Sequence, residues 1–170
     1  MKRQVALLSV VLFSFLLTGC RISYKFNGAS IDYNTTKTIT LDPFTNRAPY
    51  QWAPMAPMFN NALSDLFARQ TKLQQVKKDG DLHISGDITG YDQTNKAISA
   101  DGYSSMVQLK ITVKVVFVNN NNHDEDFDKS FSAQREYDAT QQLSAVQEEL
   151  VGQIIDEITE QIFNATVANW

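Results

Sequence analysis

Hydrophobic and polar residues alternate along two long stretches near the middle of the chain. Within residues 81–91, Leu82, Ile84 and Ile88 alternate with polar side chains. Residues 106–118 repeat this pattern with the apolar positions Val107, Leu109, Ile111, Val113, Val115 and Phe117. A period of two is typical of β-strands with one buried face and one polar face. The pattern therefore predicts two central strands of a sheet that is covered on one face.

Shorter segments complete the predicted sheet. Thr36 to Leu41 is rich in Thr and Ile, and Leu73 to Val76 is a short second candidate. Phe127 to Tyr137 is the returning strand of a hairpin, in which Lys129 on the apolar parity allows a bulge. The run Asn119 to Asn122 tolerates left-handed backbone conformations, so we expect it to close that hairpin.

Two segments have the 3.6-residue period of amphipathic helices. The first covers Pro54 to Gln70, with prolines in the first turn, where no intrahelical hydrogen bond is lost. The second continues to near Val167 and begins near Ser144, which we predict to form a capping box with Gln147. Its apolar stripe contains Val146, Leu150, Val151, Ile154, Ile155, Ile158, Ile162 and Phe163. The predicted fold class is α+β, a two-layer sandwich with both helices on one face of a mostly antiparallel sheet of four to five strands.

The first twenty residues have the pattern of an exported lipoprotein. Lys2 and Arg3 precede the apolar run Val5 to Leu17, which is shorter than the roughly 20 residues of a spanning helix and is typical of a signal peptide. Leu17-Thr18-Gly19-Cys20 matches a lipobox, in which the thiol of the only cysteine takes a diacylglycerol group as a thioether. A chance cysteine behind an ordinary signal peptide and a buried core cysteine are the alternative interpretations.

These features divide the chain into three predicted parts. They are a signal peptide at 1–19, a lipidated tether at 20–35 and a single α+β domain at 36–170. With Cys20 lipidated, no thiol remains for a disulfide, so the fold must depend on packing. The lipid at Cys20 is the expected attachment to the membrane. Because no Asp follows Cys20 directly, we expect the outer membrane, on its periplasmic side.

Charge and candidate chemistry indicate neither a nucleic-acid binder nor an enzyme. The formal net charge is −4, whereas nucleic-acid binders carry a basic patch or stripe. His83 falls on the polar face of a strand and His123 in a loop, and neither has a Ser or Cys partner at a suitable spacing. The acidic residues after His123 lack the glycine and the spacing of a calcium loop. We therefore expect no catalytic residue, no cofactor and no metal.

The polar face of the second central strand carries the candidate contact residues. Lys110 and Lys114 project from the same side of this strand as Gln108 and Thr112. We interpret the two lysines as contacts for an anionic ligand, such as lipid phosphates, or for the wall of a partner protein. The alternative is that both are ordinary solvated lysines.

Six stretches of the chain together resemble the LptE family of lipopolysaccharide-assembly lipoproteins, in the form found in Bacteroidetes. They are Leu17–Cys20, Tyr24–Ile31, Phe44–Pro49, Gly86–Tyr91, Leu109–Val115 and Ile162–Trp170. The Gly-Asp-Ile-Thr-Gly-Tyr stretch and the terminal Val-Ala-Asn-Trp are the more specific among them. The resemblance covers nearly all of the mature chain.

The resemblance implies a non-enzymatic outer-membrane lipoprotein. LptE proteins plug the β-barrel translocon LptD, support its assembly and assist insertion of lipopolysaccharide into the outer leaflet. The implied partners are an LptD-like barrel and lipopolysaccharide, with the membrane contacted through the lipid on Cys20. The basic ligand-contacting residues of distant relatives do not align from one sequence, so Lys110 and Lys114 rest on the strand pattern alone.

Two other classes of protein remain compatible with the sequence. One is a different periplasmic lipoprotein that acts as a pilotin-like or transport accessory subunit. The other is a lipid-anchored hydrolase, which would require a nucleophile–base pair brought together by the fold.

Overall fold

Two long antiparallel strands form the centre of the fold, and both helices cover one of their faces. The computed structural model describes residues 31–98 and 104–167. Its helices are α1 (Met55–Gln70) and α2 (Leu143–Thr166), and a 3-10 turn spans His123–Glu125. Its strands are β1 (Thr38–Leu41), β2 (Thr45–Asn46), β3 (Gln74–Gln75), β4 (Leu82–Ile98), β5 (Ser104–Asn119) and β6 (Phe127–Asp138). The predicted α+β class with two helices is confirmed.

The sheet is mixed, with two long antiparallel pairings, as predicted, and three short parallel ones. Its six strands include the ordered path β3-β1-β4-β5-β6, and β2 pairs with β4 outside this path. β1 is parallel to both β3 and β4, and β2 is parallel to β4, whereas the β4–β5 and β5–β6 pairs are antiparallel. The parallel pairs arise because the chain crosses over through α1 between β1 and β3, and such a crossover returns the strand in the same direction.

A β-bulge lies in β4. The sequence allowed one in β6, because Lys129 falls on the apolar parity of that strand. The register between β4 and β5 shifts between Ile88 and Gly90, so Thr89 is the extra residue. The β5–β6 ladder is continuous through Lys129, which pairs with Val115. Lys129 lies at the sheet edge, where its Nζ reaches 4.9 Å from the ring centre of Phe127. A bulge is therefore unnecessary, since the long side chain bends over its aromatic neighbour.

The core lies between the helices and the inner face of the sheet. The predicted apolar stripe of α2 is confirmed, and Ile154, Ile158 and Ile162 are 0% exposed. The rings of Phe67 in α1 and Phe163 in α2 lie 5.3 Å apart. Toward the other end of the helices, Met58 lies beside Gly152. The order of these contacts shows that both helices run in the same direction.

The predicted capping box at the start of α2 is wrong. The helix begins at Leu143 after Gln142, whose side chain makes no capping hydrogen bond. Gln147 is buried, and its Nε2 donates to Oη of Tyr91 at 2.7 Å. The residue expected to cap the helix instead connects it to the sheet.

The asparagine run at the end of β5 closes the β5–β6 hairpin, as predicted. Among the described non-glycine residues, positive φ occurs at Asp79 alone, so the asparagines close the hairpin without using the left-handed conformations that they tolerate. Nδ2 of Asn120 donates to the backbone oxygen of Gly80 at 2.7 Å, and Nδ2 of Asn121 donates to that of Thr35 at 3.2 Å. These side chains join three loops at one end of the sheet.

Asp81 connects β1 to β4 at the same end of the sheet. Its Oδ2 accepts hydrogen bonds from the backbone N–H of Lys37 (2.8 Å) and from both N–H (2.9 Å) and Oγ1 (2.9 Å) of Thr38. The bond from Lys37, followed by those from Thr38, lowers the pKa of the Asp81 carboxyl below its ordinary value. The ionised Asp81 carboxylate therefore adds hydrogen bonds to the backbone pairing of β1 with β4.

We expect Asp81→Asn to lower the free energy of unfolding at neutral pH by about 1 kcal/mol, because a neutral amide oxygen accepts weaker hydrogen bonds. The folded-state pKa is the lower one, so the contribution of Asp81 is complete above the unfolded value of about 3.9. It is lost as the pH falls through the folded value. Urea unfolding of both proteins across the acid range should therefore show the difference narrowing below about pH 4. Asp65→Asn, on the exposed face of α1, is the control, and a difference independent of pH would contradict this role.

Candidate functional site

Three of the segments that carry the family resemblance assemble at one corner of the sheet. We call the residues 44–50, 86–91 and 109–115 the motif corner. Asp87 and Ile88 of β4 pair with β2 on one side, and β4 pairs with β5 on the other. The fold thus brings into contact stretches that are far apart in sequence.

Gly86 allows the loop before β2 to press against the sheet. A Cβ at this position would overlap the backbone oxygen of Lys114 and would lie 2.6 Å from Cε1 of Phe44. Phe44 is buried, and its ring centre lies 4.9 Å from that of Phe59 in α1. The backbone N–H of Phe44 donates to Oδ1 of Asn60 at 2.8 Å, and Nδ2 of Asn60 donates back to its carbonyl at 3.0 Å. Because Gly86 has no side chain, Phe44 can pack against the sheet. The two hydrogen bonds with Asn60 hold the loop in that position.

Asp87 holds the loop after β2. Its Oδ1 accepts from Oγ1 of Thr45 at 2.6 Å and from Nε of Arg47 at 2.9 Å. The backbone N–H of Arg47 also donates to the carbonyl of Ile88 at 2.8 Å. The Arg47 side chain is nevertheless 71% exposed, so Asp87 orients a guanidinium group that faces solvent.

Tyr91 connects the motif corner to α2. Its hydroxyl oxygen accepts from Gln147, and its ring centre lies 4.7 Å from that of Tyr50. Burial raises the pKa of Tyr91 to about 12, so the phenol stays neutral at physiological pH. Tyr50 is 45% exposed, and it is the only exposed large hydrophobic residue in the described part of the chain. The buried tyrosine thus supports an aromatic ring at the surface.

Few of these contacts could be predicted from sequence patterns. Gln147 is a polar residue on the apolar stripe of α2, and that misplaced polarity is the signal for a buried hydrogen bond. Asp87 and Arg47 lie in segments quoted for the resemblance, but the pairing between them depends on the register of β2 with β4. The arrangement holds the loop after β2 in one position. The motif corner contains no serine, cysteine or histidine.

Lys110 and Lys114 lie on the outer face of the sheet, as the strand pattern predicts. Nζ of Lys114 lies 3.0 Å from Oδ2 of Asp128 on β6, and Asp87 is its cross-strand neighbour on β4. Lys110 is exposed and pairs across β4 with Asp92. The lysines therefore belong to a face of mixed charge and not to a continuous basic patch. Their role as ligand contacts stays a prediction.

Other residues expected on this face differ in exposure and position. Gln108 is buried and Thr112 is half-buried, so neither is fully available to a partner. His83 pairs with Val118 near the far end of the ladder. Its Nε2 lies 2.8 Å from Oδ2 of Asp42. The accessible part of the outer face is therefore smaller than the pattern predicts.

The acidic residues near His123 stabilise the turn before β6. Asp126 accepts from the backbone N–H of Asn119 at 2.7 Å and lies 2.9 Å from Nδ1 of His123. These two hydrogen bonds lower the pKa of the Asp126 carboxyl. Within residues 31–98 and 104–167, no group of three or more His, Cys, Asp or Glu side chains is placed to hold a metal ion.

Two membrane-related features require separate statements. Cys20, the predicted lipidation site, lies outside the described residues. Neither α1 nor α2, the helices of the described part, combines the length and apolar content that crossing a bilayer requires.

Two parallel helices on one face of a mixed sheet define an α+β fold that several bacterial lipoproteins share. The rare lipoprotein B of Shewanella oneidensis is similar, with a TM-score of 0.54 and 11% identity over 76% of this chain and 92% of that one. A minor lipoprotein of Acinetobacter baumannii has a TM-score of 0.51 and 16% identity over 75% and 90% of the two chains. A hypothetical protein of Chlamydia trachomatis has a TM-score of 0.53 and 10% identity over 79% and 99%.

The family follows from the sequence. The family model LptE, described as lipopolysaccharide-assembly, matches residues 36–166. The chain belongs to this family, and the resemblance carried by the short segments is confirmed. No curated protein matches the chain significantly.

We expect Gly86→Ala to lower the free energy of unfolding by about 1–3 kcal/mol, since the added methyl group must displace Phe44 or the β5 backbone. Gly152→Ala is the matched control. A Cβ there would meet only Met58 Cε, at 4.0 Å, and alanine favours the helix by up to about 1 kcal/mol. Urea unfolding at neutral pH measures both. Equal stabilities for the two variants would show that the close approach at Gly86 is unimportant.

Proposed function

We propose that this protein is an outer-membrane lipoprotein that plugs an LptD-type β-barrel translocon, supports its assembly and assists insertion of lipopolysaccharide into the outer leaflet. The family match over residues 36–166 carries this proposal. The match spans every described helix and strand from β1 to the end of α2. The proposed role is binding and assembly rather than catalysis.

The proposed anchor is a lipid on Cys20. In this proposal residues 1–19 are a signal peptide, residues 20–35 are a tether and residues 36–170 are the domain. The name lipoprotein in the Shewanella and Acinetobacter proteins supports this organisation by analogy. The protein would then lie on the periplasmic side of the outer membrane.

The outer face of the sheet suits the polar interior of a barrel. Large β-barrels have polar lumens, and this face combines the cations Lys110 and Lys114 with the carboxylates Asp92 and Asp128. Both partners of the Lys114–Asp128 pair are about half exposed, so either can exchange its partner at little cost. We therefore propose that this face contacts the barrel wall or the phosphates of transiting lipopolysaccharide.

Cys20→Ala is expected to abolish metabolic labelling with a palmitate analogue. The variant should also remain uncleaved or become soluble, because the thiol that forms the thioether is absent. Gel mobility and membrane fractionation of the full-length protein provide the second readout. Labelling that persists in the variant would exclude Cys20 as the lipidated residue.

Affinity purification of the lipidated protein from solubilised outer membranes should retrieve a large β-barrel protein, identified by mass spectrometry. Lys110→Glu combined with Lys114→Glu should reduce recovery of the barrel or of lipopolysaccharide by at least about tenfold, since two charge-assisted pairs are reversed. Lys96→Glu with Lys129→Glu is the control, with the same change in net charge on other strand positions.

Each result of that purification has a distinct meaning. If the parent protein retrieves no barrel, the proposed function is wrong. If the parent retrieves it and the Lys110/Lys114 variant does so equally, these lysines are ordinary solvated residues. Both variants should remain folded, because all four side chains lie outside the core. The Lys110/Lys114 variant should unfold at a somewhat lower urea concentration than the parent, because each new carboxylate lies beside an aspartate.

A further inference from the structure

β6 forms one edge of the described sheet, and it is a long edge. The path of paired strands ends at β6, which has 12 residues and no proline, whereas β3 at the opposite end of that path has two. A long edge strand presents a row of unpaired N–H and C=O groups to which a strand of another chain can add. A second copy of the protein has the same edge, so β6 is where the sheets of two copies could join.

The even-numbered residues of β6 turn their backbone groups away from β5. In an antiparallel pair both backbone groups of a residue face the same neighbour, and the direction alternates along the strand. The N–H of Asn120 donates toward β4, so even positions of β5 face β4, and odd positions of β5 and β6 face each other. The even positions of β6 therefore present the groups that a second strand would need.

Side chains of the same chain already use two of these outward carbonyls. Nε2 of Gln161 in α2 donates to the carbonyl of Ser132 at 3.4 Å. Nη1 of Arg135 donates to the carbonyl of Gln134 at 2.8 Å and to Oε2 of Glu157 in α2 at 2.6 Å. Because both carbonyls lie near the middle of β6, an added strand would have to displace Gln161 and Arg135.

The helix-facing parity of β6 carries two cations. Ala133 and Tyr137 have this parity and are buried, but Lys129 and Arg135 share it. Inward-pointing charges on an edge strand are one means by which sheets avoid joining edge to edge. This explains why a lysine falls among the apolar positions of the strand pattern.

Symmetric pairing of β6 with itself would place like charges opposite each other. A two-fold axis makes the two strands antiparallel, and their outward backbone groups meet only when even positions oppose even positions. If the axis passes through Ser132, Lys129 opposes Arg135 of the second copy. In the same register Asp128 opposes Glu136 of the second copy. Like charges directly opposite each other destabilise a strand pair.

The neighbouring register, with the axis through Ala133, brings two carboxylates together. In that register Asp128 opposes Asp138 of the second copy. Both registers that overlap nearly the whole strand are therefore opposed by charge.

Ion pairs within one copy offset only part of this charge. Arg135 pairs with Glu157, and Asp128 pairs with Lys114. In the described part of the chain, neither Lys129 nor the Glu136 carboxylate forms an ion pair. These two side chains therefore contribute the larger share of the repulsion between two copies.

We propose that the β6 edge is built to reject the β6 strand of a second copy. Two features act together: side chains occupy the central outward carbonyls, and the charge pattern of the strand repels itself. The protein then stays monomeric although its sheet ends in a long open strand. This inference requires neither the lipid on Cys20 nor the barrel partner.

The test measures self-association by sedimentation equilibrium, on residues 20–170 with Cys20→Ser, which contain every described element. Lys129→Glu with Glu136→Lys keeps the net charge and changes four opposed pairs from like to opposite charge. We expect this exchanged variant to have a dimer dissociation constant at least about fivefold below that of the parent. Adding Gln161→Ala should lower it further, because the carbonyl of Ser132 becomes free.

Ser130→Pro distinguishes edge pairing from aggregation of a destabilised chain. The N–H of Ser130 faces outward, so proline there removes no hydrogen bond to β5 but removes a donor that a second β6 needs. Added to the exchanged variant, it should restore the monomer. Lys96→Glu with Asp65→Lys is the control, an equal exchange of exposed charges on β4 and α1, and it should stay as monomeric as the parent.

A dimer that forms in the exchanged variant, disappears with Ser130→Pro and is absent from the control supports the proposal. The proposal is overturned if the exchanged variant with Gln161→Ala associates no more than the parent or the control. It is also overturned if Ser130→Pro leaves the association unchanged, or if the parent itself forms a dimer that Ser130→Pro abolishes. None of these results depends on palmitate labelling or barrel recovery, so the proposed function is tested separately.

Discussion

The antiparallel ladder between β4 and β5 is the constraint on which the rest of the fold depends. It sets which side chains face the helices and which face outward, and the first of its three register shifts, at Thr89, changes that assignment midway. Before the bulge Ile88 faces the core, and after it Tyr91 does so in place of Gly90. Without the extra residue, Tyr91 would lie on the outer face, away from Gln147. The Gly-Asp-Ile-Thr-Gly-Tyr stretch therefore makes a set of contacts and also contains the bulge that switches which side chains of β4 face the core.

Long periodic segments of this chain could be predicted from the sequence, and short ones could not. α1, α2 and β5 have repeated apolar positions, so their faces and approximate limits follow from burial alone. β2 and β3 contain two residues each, and their parallel pairing depends on where the crossover through α1 returns. The capping box failed for a related reason, because the tertiary bond from Gln147 to Tyr91 replaces a local one.

For the candidate site, the sequence predicts which face of the sheet a side chain occupies. It does not predict which residues of the neighbouring strands lie beside that side chain. Parity places Lys110 and Lys114 on the outer face, and the structure agrees. Register determines that Asp92 and Asp87 lie beside them on β4 and that Asp128 pairs with Lys114. No pattern within one strand contains that information. The lysines consequently belong to a mixed-charge surface, which changes the partner chemistry that they favour.

The position of α2 at the end of the described chain has a consequence for the order of folding. The apolar face of β4 and β5 is complete once residue 119 has emerged, yet α2 begins only at Leu143. Until then, side chains such as Leu109, Ile111 and Val113, which are 0% exposed in the folded protein, must remain in water or bind something else. Intermediates with such uncovered surfaces are prone to aggregation. A chain interrupted within its last helix would therefore leave the part of the sheet that α2 covers exposed to water.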